Sequence, residues 1–162
     1  IDVFNNYNAD TVEYIRAQET LMDKYEDKLG TYLVHLSNSE LGETVSHQIA
    51  RMLHSIGDFE RMGDHALNIC QLAEEMHEKG IKFSDDALKE ISTVETAITE
   101  IVNMTVDSFI KDDDELSSHI EPLEEVIDNL KKQLKAKHIS RLQKGECTIE
   151  LGFIFTDLLT NF

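Results

Sequence analysis

Two acidic residues at helical spacing are the first candidates for chemistry in this sequence. Glu60 and Asp64 are four positions apart in a stretch, 56–70, whose apolar residues recur with the period of a helix. On a helix their carboxylates would lie on one face, one turn apart, beside the apolar stripe. Like charges at this spacing repel each other unless a cation lies between them. The pair therefore indicates either a metal-binding helix or a solvated acidic face.

The spacing alone is weak evidence, because acidic residues are abundant here. Asp and Glu account for 32 of the 162 residues. In such a composition about six acidic pairs with this spacing arise by chance. Recurrence of a pair in a repeated segment would be much stronger evidence for metal binding.

The chain does repeat, because a shift of 105 residues superimposes it on itself. In this register the acidic pair Glu19 and Asp23 falls on a second pair, Glu124 and Asp128. Asp2, Phe4, Ile15 and Leu29 fall on Asp107, Phe109, Ile120 and Leu134, and after a loop the shift becomes 103. The recurrence favours metal binding over a solvated face, and it predicts repeats of about 105 residues, each a three-helix bundle.

Apolar periodicity predicts an all-α chain of about five helices. A single proline and seven glycines in this length favour long, uninterrupted helices. We expect helices over 8–36 and 40–79, a third that begins at 84 and carries its apolar stripe to Phe109, a fourth over 114–142 and a fifth from 147 to the end of the chain. Asn8 and Ser84 are expected N-caps, Gly80 is an expected C-terminal cap, and Pro122 should kink the fourth helix or reset its start.

The central stretch resembles a known family motif. Residues 60–69 read Glu-Arg-Met-Gly-Asp-His-Ala-Leu-Asn-Ile. This run is similar to the Glu-Arg-Ile-Gly-Asp-x-Ala-x-Asn-Ile motif of PhoU-like proteins, which regulate phosphate uptake. The resemblance implies two three-helix bundles, which we assign to residues 1–82 and 83–162. It also implies a fragment that lacks the first helix of one bundle and most of the last helix of the other.

The same resemblance implies multinuclear metal clusters held by Glu-x-x-x-Asp pairs. Carried over by position, the first cluster would use Glu19, Asp23, Glu60 and Asp64. The second would use Glu124 and Asp128 with acids absent from this sequence, so we expect it to bind weakly or not at all. The expected ions are divalent or trivalent, with iron, manganese, zinc and magnesium all open.

Charge limits the choice of partners. The formal net charge is −17, and such a surface repels nucleic acid and anionic lipid. No apolar run approaches the length of a membrane span.

The chain also looks like the cytosolic C-terminal region of bacterial sodium/phosphate cotransporter relatives. We therefore expect a cytoplasmic domain beside an inner-membrane phosphate transporter, fused or separate, with homo-oligomers and metal-bound inorganic phosphate as further expectations.

The expected activity is regulatory and not enzymatic, but two other functions stay open. One is a metal-dependent enzyme of the carboxylate-bundle type. In such enzymes Glu-x-x-His pairs recur on facing helices, and no such pair recurs in register in this repeat. The other is a metal-free helical adaptor for a partner protein.

The cysteines and histidines show no shared spacing that would indicate a site. Cys70 lies on an apolar helix face and is expected to be a buried thiol. His35, His47, His77, His119 and His138 share no spacing and are expected to be exposed.

Overall fold

Helices form all the regular structure that the computed structural model describes, which covers residues 2–39 and 42–162. The elements are α1 (Asp2–Asn5), α2 (Ala9–Ser37), α3 (Glu43–Lys79), α4 (Asp85–Lys111), α5 (Asp114–Ser117), α6 (Ile120–Gln143) and α7 (Ile149–Asn161). Five of these are long and two, α1 and α5, are single turns. The all-α prediction is confirmed. None of the helices in the described ranges combines the length and apolarity needed to cross a bilayer.

The helix ends follow the capping residues that the sequence predicted. The Asn8 side chain accepts hydrogen bonds from the backbone N–H groups of Asp10 and Thr11. Ser84 accepts one from the N–H of Ala87 at the start of α4. Gly80 has a φ of +64° directly after α3, a conformation that glycine adopts without steric penalty. These bonds satisfy backbone groups that a helix end otherwise leaves unpaired.

Two boundaries differ in detail from the prediction. The expected start of the second helix, Glu40, lies outside the described residues, and α3 is described from Glu43. The fourth predicted helix is divided into α5 and α6. Asp112 ends α4 with a φ of +51°, and the Asp113 side chain then caps α5. Pro122 is the third residue of α6, where no intrahelical N–H donor is needed, so it resets the helix start.

The chain divides into two compact units. The hairpin unit comprises residues 7–74, which is α2 with most of α3. The bundle unit comprises residues 1–6 and 75–162, with α4, α5, α6 and α7. This division falls between Glu74 and Glu75. The boundary predicted between residues 82 and 83 separates the two sequence repeats, which is a different property, and it stays a prediction.

In the hairpin unit α2 and α3 run antiparallel in close contact. The Arg16 guanidinium lies 3.4 Å from the carboxylate of Glu74 near one end of the pair. Further along, a Cβ atom on Gly63 would lie only 3.1 Å from the sulfur of Met22. The end of the Met22 side chain therefore packs against Gly63, one residue before Asp64.

In the bundle unit the core forms between α4, α6 and α7. Ile91 and Val94 of α4 and Phe155 of α7 are at most 1% exposed. The Phe155 ring meets the Phe83 ring edge-on at 5.9 Å between centroids. It also stacks on the imidazole of His138, with centroids 4.7 Å apart and planes inclined by 19°. Aromatic contacts thus join α6 and α7 to the segment before α4.

The expectation that His138 is exposed is wrong. Only 4% of this residue is accessible, and it follows Ile127 and Leu134 along the buried face of α6 by eleven and four positions. The sequence of α6 alone shows no partner for this polar side chain, and so it predicts an exposed histidine. The stacking partner, Phe155, is on a different helix. Cys70, by contrast, is 3% exposed, as predicted.

Two glycines should respond in opposite ways to alanine. Nothing lies within 4 Å of a Cβ built on Gly30 in α2, so Gly30→Ala should stabilise the chain by about 0.5–1 kcal/mol through helix propensity. A Cβ on Gly152 would meet His138 Nε2 at 3.1 Å and Leu142 at 3.3 Å. Because the His138 ring is held by Phe155, Gly152→Ala should lower stability in urea denaturation. Equal shifts for both variants would contradict this packing.

The stability of the chain should depend on pH through His138. Burial lowers the pKa of this imidazole and the Arg141 charge lowers it further, against an opposing effect of Glu90. Below the unfolded value of about 6.5 the unfolded chain therefore binds more protons than the folded one. The contribution is fully present above that pH and is lost as pH falls below it, with a slope of at most about 1.4 kcal/mol per pH unit.

Urea denaturation between pH 5.5 and 7.5 measures this slope. The variant His138→Gln should show a shallower dependence, whereas His47→Gln, at an exposed position of α3, should keep that of the parent. An unchanged slope in His138→Gln would show that other groups cause the dependence.

Candidate metal centre

Three carboxylates converge between the two helices of the hairpin unit. Glu19 and Asp23 are one turn apart on α2, and Asp64 faces them from α3. One oxygen from each side chain lies within 4.8 Å of the oxygens of the other two. Two of the residues are partly buried and one is exposed. The structure thus brings together three of the four residues assigned to the first cluster.

This geometry fits a hard cation. Two oxygens on one ion can be no farther apart than twice the metal–oxygen bond, about 4.2 Å for Mg²⁺ and about 5 Å for Ca²⁺. Oxygens that lie within 4.8 Å of one another are therefore close enough for a hard ion to contact all three after small side-chain rotations. Carboxylates are ligands for such hard ions and are poor ones for copper(I).

Glu60 lies beside this group, and the negative charges of the group act on its carboxyl. Its carboxylate is one helical turn before that of Asp64 on α3. Partial desolvation, followed by the negative charges of Asp64, Glu26 and Asp23, raises the pKa of Glu60 above its usual value. A bound cation would oppose each of these charge effects.

Glu26 is the acidic neighbour that the motif search missed. It follows Asp23 by three positions and so shares its helix face. Its charge contributes to the raised pKa of Glu60. A search for acids at three- and four-residue spacing, in place of the Glu-x-x-x-Asp pattern alone, would have included it.

The second predicted pair is differently placed. Glu124 and Asp128 are exposed on α6 in the bundle unit. Asp128 lies 3.6 Å from the ammonium group of Lys132. Across residues 2–39 and 42–162, no third acid, histidine or cysteine joins this pair in a metal-sized group.

Comparisons with known proteins show what this chain is similar to. Residues 1–73 match the model of the PhoU domain, a range that includes Glu19, Asp23, Glu60 and Asp64. The chain is 26% identical over 107 residues to the phosphate-specific transport system accessory protein PhoU homolog 1 of Thermotoga maritima. That alignment covers 66% of this chain and 45% of the relative, so it spans about half of the relative's length. No solved structure matches the chain.

Removing the Glu60 charge should stabilise the metal-free chain. In metal-free protein Glu60→Gln should raise the melting temperature, because it relieves repulsion from Asp64, Glu26 and Asp23. Glu78→Gln, which removes an exposed acid from the same helix, is the matched control. Scanning calorimetry of the two variants tests this. A lower melting temperature in Glu60→Gln alone would show that the carboxylates do not oppose folding.

Proposed function

We propose that this chain is a PhoU-like regulatory domain of phosphate transport. We further propose that it binds metal ions in its hairpin unit. The observation that supports the proposal most directly is the convergence of Glu19, Asp23 and Asp64 within the residues that match the PhoU domain. The relative's name describes it as an accessory protein of a phosphate-specific transport system. The proposed role is regulatory, with no catalytic step.

The donor set defines how metal would be held. Glu19, Asp23 and Asp64 would each supply an oxygen, and Glu60, one turn before Asp64 on α3, would be the fourth ligand. Bound ions would supply positive charge on a chain whose formal net charge is −17. Magnesium, manganese and iron fit this oxygen-only set, and zinc accepts it as well.

The positive charge suggests how phosphate could act on the domain. An acidic surface repels inorganic phosphate, whereas ions held by the cluster would attract it. We therefore propose that phosphate reaches the hairpin unit only through bound metal. The wider proposal is a cytoplasmic regulator that acts on a phosphate transporter, either fused to it, as in sodium/phosphate cotransporter relatives, or separate from it.

Metal content and thermal stability test the central step. The chain, purified without chelator, should hold metal by mass spectrometry. Added metal should raise the melting temperature, because a ligand at a hundred times its Kd stabilises by about 2.7 kcal/mol. Asp64→Asn and Glu19→Gln should each weaken binding at least about tenfold, or about 1.4 kcal/mol. Asp128→Asn, which removes an acid of the second pair, should leave affinity unchanged.

The alternative functions give different results. Equal affinity in Asp64→Asn and in the parent chain would remove the cluster from the proposal. An unchanged melting temperature with every metal would favour a metal-free adaptor. Oxygen consumption or hydrolysis that begins on adding iron or manganese would favour an enzyme. For regulation, phosphate uptake by cells that carry Asp64→Asn should lose its response to external phosphate, whereas Asp128→Asn cells should keep theirs.

A further inference from the structure

An apolar groove lies between α2 and α3 in the hairpin unit. Its volume is about 130 Å³. Both helices contribute to its apolar lining, which includes Met22, Leu29, Ile56 and Phe59. Leu29 is 45% exposed, so the groove is open to solvent. Because the burial of apolar surface is favourable by about 25 cal/mol per Å², the groove is a candidate docking site.

A stripe of exposed apolar side chains continues the groove along α2. Its members are from 43% to 64% exposed, and they are Tyr14, Leu21, Tyr25 and Tyr32. Their successive spacings of seven, four and seven residues are those of the a and d positions in a coiled-coil seam. Tyr25 also lines the groove itself. Since tyrosine is enriched at protein interfaces, the stripe indicates a surface that receives a helix.

The internal repeat shows how the equivalent positions are used in the bundle unit. Met22 and Leu29 correspond to Ile127 and Leu134 under the shift of 105 residues. Those two residues are 4% and 5% exposed on α6, which packs against α4 and α7. The positions that form the groove of the hairpin unit therefore suit contact with a further helix.

Two acids give the groove a negative charge. Glu26 and Glu60 complete its lining. A Cβ atom on Gly57 would lie 3.9 Å from Glu26 Oε1, so this carboxylate reaches across to α3. The residue equivalent to Glu26 in the repeat is Lys131, which has the opposite charge. The groove thus favours a helix with basic side chains, whereas a second copy of this chain, with a formal net charge of −17, would be repelled.

From these features we infer that the groove of the hairpin unit binds an amphipathic helix of a partner protein, in which lysine or arginine flanks an apolar stripe. The stripe packs against Tyr25 and Leu29, and a basic side chain pairs with Glu26. The inference goes beyond metal binding and does not rest on it. Since Glu60 is shared with the proposed metal centre, the test uses metal-free chain.

Fluorescence anisotropy of two labelled helical peptides tests the inference. Both carry leucine at the a and d positions of each heptad, and the e and g positions are lysine in one peptide and glutamate in the other. The lysine peptide should bind saturably, and the glutamate peptide at least about tenfold more weakly. Leu29→Ser should weaken binding of the lysine peptide about tenfold. Val34→Ser, at a similarly exposed apolar position of α2 outside the groove, should bind like the parent.

A second matched pair of variants tests the charge. Glu26→Gln should weaken binding of the lysine peptide about threefold, because one exposed ion pair contributes little. Asp27→Asn, which removes the adjacent exposed acid of α2, should leave the affinity unchanged. Equal affinity in these two variants would overturn the pairing with Glu26.

Other occupants and other sites give different results. No saturable binding of the lysine peptide would show that the groove does not accept a separate helix, and would overturn the inference. Equal affinity in Leu29→Ser and Val34→Ser would place the peptide elsewhere on the acidic surface and overturn it too. Equal affinity for the two peptides would overturn the basic class of partner. Self-association of the parent chain in sedimentation velocity, abolished by Leu29→Ser, would assign the groove to a second copy instead.

Discussion

Crowding of negative charge between α2 and α3 is the constraint on which the hairpin unit depends. The end of the Met22 side chain of α2 packs against Gly63 of α3, and Asp64 is the next residue on α3. Asp64 lies with Glu19 and Asp23 of α2 in one group of carboxylates. Packing favours this arrangement, whereas Coulomb repulsion opposes it. A cation bound between the carboxylates would lower this repulsion without changing the packing.

Much of this unit is predictable because its determinants are local. A helix cap such as Asn8 acts within three residues, and the Glu-x-x-x-Asp spacing places both acids on one helix face. The family resemblance implied that Asp64 lies near the acids of α2. The internal repeat singled out Glu19 and Asp23. The presence of Glu26 beside Glu60 was not predicted. It depends on which face of α2 meets α3, a property of packing that one helix sequence does not specify.

The bundle unit shows where sequence reasoning ends. His138 belongs to a buried face of α6, but its environment comes from Phe155 on α7 and from Glu90 on α4. These residues are 17 and 48 positions away. The missing side chain of Gly152 leaves room for the imidazole. Since no spacing rule joins such positions, the buried histidine becomes visible only after the helices are packed.

The repeat also shows that matching residues need not have matching environments. Leu29 and Leu134 are equivalent under the 105-residue shift, yet Leu29 is 45% exposed and Leu134 is 5% exposed. Leu134 lies on α6, which packs against both α4 and α7. The acidic pairs differ in the same way, because Asp23 meets an acid from α3 whereas Asp128 lies near Lys132. The same Glu-x-x-x-Asp pair therefore meets an acid of a facing helix in one place and a lysine of its own helix in the other.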